Sequence, residues 1–208
     1  MRVLVTGGTG YLGRRIVGAL RESGHEVVLY ARTASSSGLD AEAVDGDVRD
    51  AGRLADAARG CNAIIHAAAL VATWRPRGRE FDEVNIGALR SVLRAAGRHG
   101  IARVVCTSSF LALTPPGLDA APQWNDYQRT KSAADALADE AVRRGAPLIR
   151  MYPGVIYGPG ASTAGNLVGG MVADHLAGRL PGVIGADRIW SFSFVDDVAA
   201  AHVAAVER

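Results

Sequence analysis

The sequence is poor in lysine and in long apolar runs. Lys131 is the one lysine among 23 basic residues, and the other 22 are arginines. Against 21 acidic residues the formal net charge is +2, and the two signs are mixed along the chain, which argues against a nucleic acid or another polyanion as partner. No window approaches the roughly 18 uncharged apolar residues that a membrane span needs, so we expect no membrane segment.

Cysteine is scarce as well, and the potential metal ligands are scattered. Cys61 and Cys106 stand in apolar surroundings, which predicts reduced core thiols in a cytoplasmic protein. The five histidines lie far apart and none pairs with a cysteine or carboxylate at ligand spacing, so we expect no metal site. The opening residues MRVLVTGGTG lack the pattern of a signal peptide. With 49% hydrophobic residues over 208 positions, the composition excludes a disordered chain and suits one folded domain.

Short β-branched runs alternate with longer stretches rich in alanine, leucine and arginine. The runs predict strands at residues 3–5, 27–30, 43–44, 63–66, 103–107 and 148–152. The stretches predict helices from residue 12 to the stop at Gly24 and over 54–58, 84–99 and 127–144, with loops at 70–78 and 114–124. This alternation predicts an α/β fold, a doubly wound parallel sheet with helices on both faces, formed as one domain over residues 1–208.

A glycine-rich turn separates the first predicted strand from the first helix. Gly7, Gly10 and Gly13 are spaced as GxxGxxG, a relative of the dinucleotide fingerprint. Glycine there permits a tight turn, close approach of the backbone to a pyrophosphate and helix–strand packing, while the N–H groups that open the helix hold the phosphates. A glycine triplet alone is equally typical of a flexible turn. Its place inside a βαβ pattern favours a dinucleotide site, which would also include Thr9, Tyr11 and Leu12.

The end of the second strand bears on which dinucleotide binds. In many NAD sites an acidic residue there holds the ribose 2′-hydroxyl, whereas an arginine can accept the 2′-phosphate of NADP. This chain has Arg32 and no carboxylate in the run 29–33, which favours NADP, although a solvated surface arginine fits the same pattern. Asp47, after the third strand, is placed either to meet the adenine or to cap or turn the backbone.

Tyr127 and Lys131 stand four residues apart in a predicted helix, which puts a phenol and an ammonium on one face. Because arginine serves elsewhere in this sequence, the lone lysine indicates a site that needs a compact ammonium. A tyrosine has a pKa of about 10 in water, and lowering it by about three units for acid–base work takes about 4 kcal/mol of differential stabilisation. A neighbouring lysine and an oxidised nicotinamide can supply that energy in a dry cleft. The alternative is an ordinary surface pair on a helix.

Thr107, Ser108 and Ser109 close the fifth predicted strand, at the edge where open α/β sheets bind their ligands. A serine hydroxyl there can polarise a substrate carbonyl or hold a developing alkoxide. Because neighbours on a strand point to opposite faces, the pattern leaves open which serine does so, and whether both only cap the strand end.

Together these motifs resemble the extended short-chain dehydrogenase/reductase family, the NAD-dependent epimerases and dehydratases. Further family motifs run along the whole chain: Gly46-Asp47-Val48-Arg49-Asp50, Ile65-His66-Ala67-Ala68-Ala69, Asn85-Ile86-Gly87 and Phe194-Val195-Asp196-Asp197-Val198. The segments most similar to the dihydroflavonol-reductase-like branch, and within it to plant-type farnesol dehydrogenases, are 107–113, 153–160, 178–182 and 190–198.

The resemblance implies a Rossmann-type domain that binds NAD(P) and transfers hydride from or to the nicotinamide. By position, Ser109 would polarise the carbonyl, with Ser108 the less favoured choice, and Tyr127 would donate or accept the proton. Lys131 would bind the nicotinamide ribose and lower the tyrosine pKa. The further cofactor residues would be Asp47 and Val48 at the adenine, Ala67, Ala68 and Ala69 along the cofactor, Asn85 with any proton-relay water, Thr107 and Ser108 at the strand end, and Tyr152, Pro153, Gly154 and Val155 beside the nicotinamide.

Three features depart from the family pattern. Only 17 residues separate Ser109 from Tyr127, so the substrate lip at 111–124 is short. Members of the branch with an arginine after strand two are not uniformly NADP-dependent, which keeps NAD open. Family members also continue for roughly another hundred residues past the 194–198 motif, so the C-terminal substrate lobe is largely absent here and residues 155–208 would contribute only its start.

Three functions fit these observations. The first is a reductase or dehydrogenase for a small apolar or aromatic substrate, whose candidate pocket residues, each with core packing as the alternative, are Leu70, Trp74, Phe110, Trp124, Tyr157 and Trp190. The second is a nucleotide-sugar epimerase or dehydratase with the same serine, tyrosine and lysine, and the third is a non-catalytic dinucleotide-binding protein. The helices at 84–99 and 127–144 correspond to the family's usual dimer surface, so a homodimer is expected.

Overall fold

Six parallel strands form the central sheet. The computed structural model describes residues 1–72, 74–161, 163–180, 182 and 189–208. The strands are β1 Arg2–Thr6, β2 Glu26–Ala31, β3 Glu42–Asp45, β4 Ala63–His66, β5 Arg103–Thr107 and β6 Leu148–Met151. Their order is β3-β2-β1-β4-β5-β6, with every neighbouring pair parallel. The predicted doubly wound sheet is confirmed, and its direction of winding reverses between β1 and β4.

The helices cover both faces of the sheet. They are α1 Tyr11–Glu22, α2 Ala51–Ala57, α3 Arg79–Phe81, α4 Ala88–His99, α5 Asp126–Arg143, α6 Leu167–Leu176 and α7 Val195–Glu207. A short second sheet pairs β7 Val155–Tyr157 with β8 Phe192–Phe194, also in parallel, and the predicted strands did not include it.

Adjacent residues of one strand belong to opposite layers of the core. Val3 and Val5 pack with α1 and α7, whereas Leu4 packs with α2 and α4. Cys106, on the same face of β5 as Val104, extends this second layer to α5. Strands that are buried on both faces carry nearly continuous apolar runs, which is why β1, β2 and β4 were predicted from the sequence.

The helix predicted to start at residue 84 starts earlier. The chain is helical from Arg79, because α3 continues through a π-helical turn over Asp82–Gly87 into α4. Gly78 gives this start no side-chain cap, so the sequence carries no start signal there. Ion pairs hold the segment instead: Arg79 Nε lies 3.0 Å from Glu83, and Asp82 lies 2.7 Å from Arg129 of α5.

Candidate active site

The glycine-rich turn lies at the point where the sheet changes its winding direction. Gly7 has a φ of 73°, which glycine adopts without strain, and its carbonyl accepts a hydrogen bond of 3.0 Å from Gly10 N. A Cβ on Gly7 would stand 2.5 Å from the backbone N of Ala68, and a Cβ on Gly13 would overlap the carbonyl oxygen of Gly7. Two of the three glycines are therefore demanded by close backbone approach.

The turn leaves the start of α1 open to a ligand. Gly10 caps the helix without any side-chain hydrogen bond, so the first N–H groups of α1, at Tyr11, Leu12 and Gly13, have no cap partner. They stand at the carboxyl edge of the sheet, beside the half-buried Thr9 and the exposed Gly10. A bare helix N-terminus behind a glycine cradle fits the pyrophosphate of a dinucleotide. Leu12 itself packs against the core.

The side chain of Tyr11 is enclosed by a later part of the chain. A Cβ on Gly160 would stand 3.0 Å from the Tyr11 ring, so this glycine lies directly on it. The phenol oxygen is buried and has no hydrogen-bond partner among the residues that the structure describes, and burial raises the pKa of Tyr11. Only the backbone of Tyr11 is thus available to a phosphate.

Residues predicted to meet the adenine end follow β2 and β3. Arg32 is exposed directly after β2. The Asp47 carboxylate binds Arg49, with Oδ1 2.9 Å from Arg49 Nε and Oδ2 2.7 Å from its Nη2. The hydrogen bond from Arg49 is the main reason why the pKa of Asp47 is low, and the charge of Arg32 adds to it. Oδ1 also accepts from Arg49 N at 2.9 Å, which is the backbone-turning role left open by the sequence. Val48 packs against the core beside Leu4.

The alanines after β4 run along the same edge as the glycine turn. Ala67 N donates to Thr6 O at 3.1 Å, and Ala68 and Ala69 continue in half-buried irregular backbone. Leu70 follows the alanine run, and Asn85 in the π-helical turn holds it, because Asn85 Oδ1 accepts a hydrogen bond from Leu70 N at 2.8 Å. Its Nδ2 donates to Thr130 Oγ1 of α5 at 3.0 Å. Asn85 therefore ties the end of the alanine run to the helix that carries Tyr127.

Tyr127 and Lys131 stand one turn apart at the start of α5. Asn125 caps the helix by accepting from Gln128 N at 2.9 Å, which explains why α5 begins where the sequence predicted. The Lys131 side chain is buried, and its Nζ donates to the Thr107 carbonyl at 3.0 Å and lies 5.8 Å from the centre of the Tyr127 ring. The spacing of the pair puts both groups on one side of α5, and Lys131 reaches the end of β5.

The two adjacent serines have different partners. Ser108 is half-buried and its Oγ lies 3.5 Å from Asp135 Oδ1 of α5, whereas Ser109 is buried. Ser109 Oγ accepts from Leu111 N at 3.2 Å and caps a 3-10 turn over Phe110–Ala112. Accepting this bond leaves the Ser109 O–H free to donate to a ligand.

Lys131 lines a small, partly open pocket. The pocket is also lined by His66, Cys106, Ser108 and Asp135. Burial, with a smaller effect of the Lys131 charge, lowers the pKa of His66 to about 3, and burial raises the pKa of Cys106 to about 11. Both groups are therefore uncharged near neutrality. In the sequence, His66 stood out only as part of the motif Ile65 to Ala69, and that motif does not indicate that its side chain is buried.

The segment after β6 passes alongside Ser109. The Tyr152 hydroxyl donates to Asp135 Oδ1 at 2.6 Å, and burial and this carboxylate raise the pKa of Tyr152, so its phenol is committed to α5. Pro153 O accepts from Phe110 N at 3.3 Å, and Val155 N donates to Ser191 O at 2.7 Å. A Cβ on Gly154 would overlap Ser191 O, so this position also requires glycine.

Several candidate pocket side chains are exposed to solvent. Trp74, Trp124 and Trp190 have 72%, 84% and 58% of their surface exposed, so the core-packing alternative does not apply to them. Tyr157 is also exposed, and its ring packs edge-on against Phe194 at 5.6 Å between centres. Pro181, in the predicted motif 178–182, and Thr73, in the predicted loop 70–78, lie outside the described residues.

A glycine cradle at the switch point of a parallel sheet, with a tyrosine–lysine pair at the same edge, defines the class of Rossmann-type proteins that bind nicotinamide dinucleotides. The model of the NAD dependent epimerase/dehydratase family matches residues 3–208, and the chain belongs to that family. This confirms the resemblance inferred from the motifs.

Among curated proteins, the chain is similar to sterol demethylase protein B of Methylococcus capsulatus, with 32% identity over 100% of this chain and 66% of that protein. It is 30% identical to cinnamoyl-CoA reductase 1 of Oryza sativa, over 99% of this chain and 68% of that protein. A dihydroflavonol 4-reductase-like protein of Synechocystis is 28% identical over 98% of this chain and 62% of its own length, in agreement with the predicted branch. The chain thus spans about two thirds of the length of the curated relatives it matches.

Among solved structures, MoeE5 in complex with UDP-glucose and NAD superposes with a TM-score of 0.83 and 28% identity, over 99% of this chain and 72% of that one. In the part of the chain that the structure describes, no helix combines the length and the apolarity needed to cross a membrane.

Proposed function

We propose that this chain is the cofactor-binding part of an NAD(P)-dependent oxidoreductase that acts on a carbonyl or alcohol of a small apolar molecule. The observation that supports the proposal is Lys131, whose Nζ lies 3.0 Å from the Thr107 carbonyl at the end of β5 and 5.8 Å from the centre of the Tyr127 ring, with Ser109 two residues after Thr107. Residues 1–208 would form one cofactor domain, with 155–208 contributing the start of the substrate-binding region.

The chemistry assigns one task to each side chain. The nicotinamide, when bound, supplies or accepts the hydride at the substrate carbon. In the direction of reduction, the Tyr127 phenol gives its proton to the carbonyl oxygen, and the Ser109 O–H donates a hydrogen bond to that oxygen. Lys131, held at 3.0 Å from the Thr107 carbonyl, places a positive charge beside the phenol and stabilises the phenolate left behind.

The residues that would hold the dinucleotide follow from the described geometry. The N–H groups of Tyr11, Leu12 and Gly13 would bind the pyrophosphate, while Ala67 to Ala69 would line its path. Arg32 supports NADP as the preferred cofactor, because it is exposed after β2 and the carboxylate of Asp47, on which its charge acts, is already bound by Arg49. Titration of the protein with NADH and NADPH measures this preference directly.

Exposed aromatic side chains beside the site favour an apolar substrate. Trp124 lies three residues before Tyr127, and its backbone N–H donates a hydrogen bond to Gln128 Oε1 at 3.0 Å. Trp190 precedes Ser191, whose carbonyl holds Val155 beside the Ser109 segment. The exposed rings of Trp124 and Trp190 offer apolar contact area to a ligand.

A nucleotide-sugar epimerase or dehydratase is the second candidate, supported by the similarity to MoeE5 in complex with UDP-glucose and NAD. It would use the same tyrosine and lysine. A panel of aliphatic and aromatic carbonyls together with UDP-sugars separates the two candidates, because only an oxidoreductase changes the net redox state of the dinucleotide.

Tyr127→Phe tests the proposed chemistry. We expect kcat/KM to fall at least 100-fold, since general acid–base catalysis contributes roughly 10²–10⁴-fold, while the dinucleotide Kd changes less than about threefold. Ser132→Ala, on the same helix, removes a buried hydroxyl that has no hydrogen-bond partner within the described ranges, and it should leave kcat/KM unchanged. Sustained turnover by Tyr127→Phe, or failure of the wild-type chain to bind either dinucleotide, would contradict the proposal.

Two further proposals concern the cellular compartment and the oligomeric state. The two buried free thiols, Cys61 and Cys106, are typical of a reducing compartment, so we place the protein in the cytoplasm. The outer faces of α4 and α5 are proposed to form a homodimer, which light scattering on the purified protein tests.

A further inference from the structure

Thr107 is held from two sides at the end of β5. Its backbone carbonyl accepts the hydrogen bond from Lys131 Nζ at 3.0 Å. Its side-chain Oγ1 lies 2.8 Å from Nε2 of His202, a fully buried residue of α7. One residue therefore connects the lysine of α5, on one face of the sheet, with a histidine of α7, on the other.

The hydrogen bonds of His202 fix the position of its proton. Nδ1 lies 2.7 Å from the carbonyl oxygen of Val198, one turn earlier in α7. A carbonyl can only accept, so Nδ1 carries the proton and Nε2 presents a lone pair to the Thr107 hydroxyl. Burial lowers the pKa of His202, which keeps the imidazole neutral at pH 7. The relay runs in one direction, from the Thr107 O–H to His202 and from His202 to Val198.

This relay bears on Lys131 because of where Thr107 stands. Thr107 is the last residue of β5, and the backbone beyond it leaves the strand. Within the described ranges, its carbonyl is the acceptor that the protein offers to Nζ. The peptide that carries this carbonyl is held at its N–H by Met151 O, 2.8 Å from Ser108 N, and the bond between the Thr107 hydroxyl and His202 holds the residue that supplies the carbonyl.

We propose that His202 is a positioning residue for Lys131, acting through the hydroxyl and the carbonyl of Thr107. The inference rests on the proposed catalytic role of Lys131 and extends it to α7, a helix on the other face of the sheet from α5. In this arrangement α7 sets the location of the charge that serves the phenol on the opposite face of the sheet.

The single lysine makes the proposal directly measurable. Protein labelled with ¹⁵N-lysine has one side-chain ammonium signal, which Lys131→Arg assigns by removing it. His202→Leu keeps an apolar side chain of similar volume and removes the acceptor, whereas His202→Gln can return an oxygen acceptor near the position of Nε2. We expect the ammonium signal to shift and broaden in His202→Leu, because the ammonium loses its fixed carbonyl and exchanges with water, and to be retained in His202→Gln.

Turnover gives a second readout. We expect His202→Leu to lower kcat/KM at least tenfold with the dinucleotide Kd changed less than threefold, and His202→Gln to recover kcat/KM to within about threefold of wild type. Thr107→Val removes the same hydrogen bond from the other side, so the double variant with His202→Leu should be no worse than the poorer single variant.

An unchanged ammonium signal in a folded His202→Leu protein would overturn the proposal, as would losses that multiply in the double variant. If thermal unfolding shows that His202→Leu does not fold, Thr107→Val reports on the same ammonium signal without altering α7. The signal needs no substrate, so this result is independent of the Tyr127→Phe test of the proposed function.

Discussion

The buried imidazole of His66 makes the stability of the fold depend on pH. His66 Nδ1 is 2.7 Å from Thr6 Oγ1 between the neighbouring strands β4 and β1, and burial, aided by the Lys131 charge, holds its pKa at about 3 instead of 6.5. Between about pH 6.5 and pH 3, the His66 imidazole therefore binds a proton in the unfolded chain but stays neutral in the folded protein. The stabilisation is complete above about pH 6.5 and is lost as the pH falls from there towards 3.

The size of the effect follows from the two pKa values. Between pH 7 and pH 5 the unfolded imidazole passes from mostly neutral to almost fully protonated, while His66 in the folded protein stays neutral. Integrating this difference in bound protons gives a loss of about 2 kcal/mol in the free energy of unfolding. For a chain of this size that corresponds to a fall of roughly 4–8 °C in Tm.

Urea unfolding at pH 7, 6 and 5 measures the loss, and His66→Asn isolates the part due to this residue. Both proteins contain the same carboxylates, so protonation of these groups contributes equally to the two curves. Between pH 7 and pH 5 the free energy of unfolding should therefore fall by about 2 kcal/mol more in the wild type than in His66→Asn. His175→Asn, on the exposed side of α6, controls for the removal of an imidazole as such and should follow the wild-type curve. Parallel curves for wild type and His66→Asn would refute the reasoning.

Two other predictions concern the cofactor site. Gly13→Ala places a Cβ against the carbonyl of Gly7, so we expect dinucleotide affinity to fall at least tenfold and Tm to fall, whereas Gly18→Ala, in the same helix with open space around its Cβ, should keep affinity and raise stability by up to about 1 kcal/mol. Equal affinities in the two variants, measured by calorimetric titration, would show that the turn tolerates a side chain. Arg32→Ala should weaken NADPH binding at least tenfold and leave NADH binding within about twofold, and an unaltered NADPH affinity would exclude Arg32 from the 2′-phosphate site.

Much of the fold was predictable because its signals are local. The strands β1, β2, β4 and β5 carry apolar, largely β-branched runs that are buried on both faces, and the turn carries its glycines within seven residues, 7–13. The pairing of β7 with β8 was not predictable, because each has three residues and their partners, Val155 and Phe192, are far apart in sequence. The sequence predicted a helix only from residue 84, whereas the chain is helical from Arg79. This earlier start was not predictable, because ion pairs involving Glu83 and Arg129 hold it in place of a cap.

The site divides in the same way. Tyr127 and Lys131 could be paired by helical spacing, but the sequence could not show that Lys131 binds the Thr107 carbonyl. The directions of Ser108 and Ser109 depend on contacts with Asp135 and with the 3-10 turn, which a two-residue pattern does not encode. The contact between Thr107 and His202 joins residues 95 apart and has no local signal at all.

The packing of α7 beside α1 has a consequence for synthesis of the chain. Ala199, Val203 and Val206 of α7 complete the core layer that α1 begins, and His25, just after α1, lies 3.0 Å from Glu207. A ribosome must add about 170 residues between the end of α1 and the start of α7. At 5–20 residues per second this takes roughly 10–35 s, during which the nascent chain carries an apolar surface that chaperones recognise.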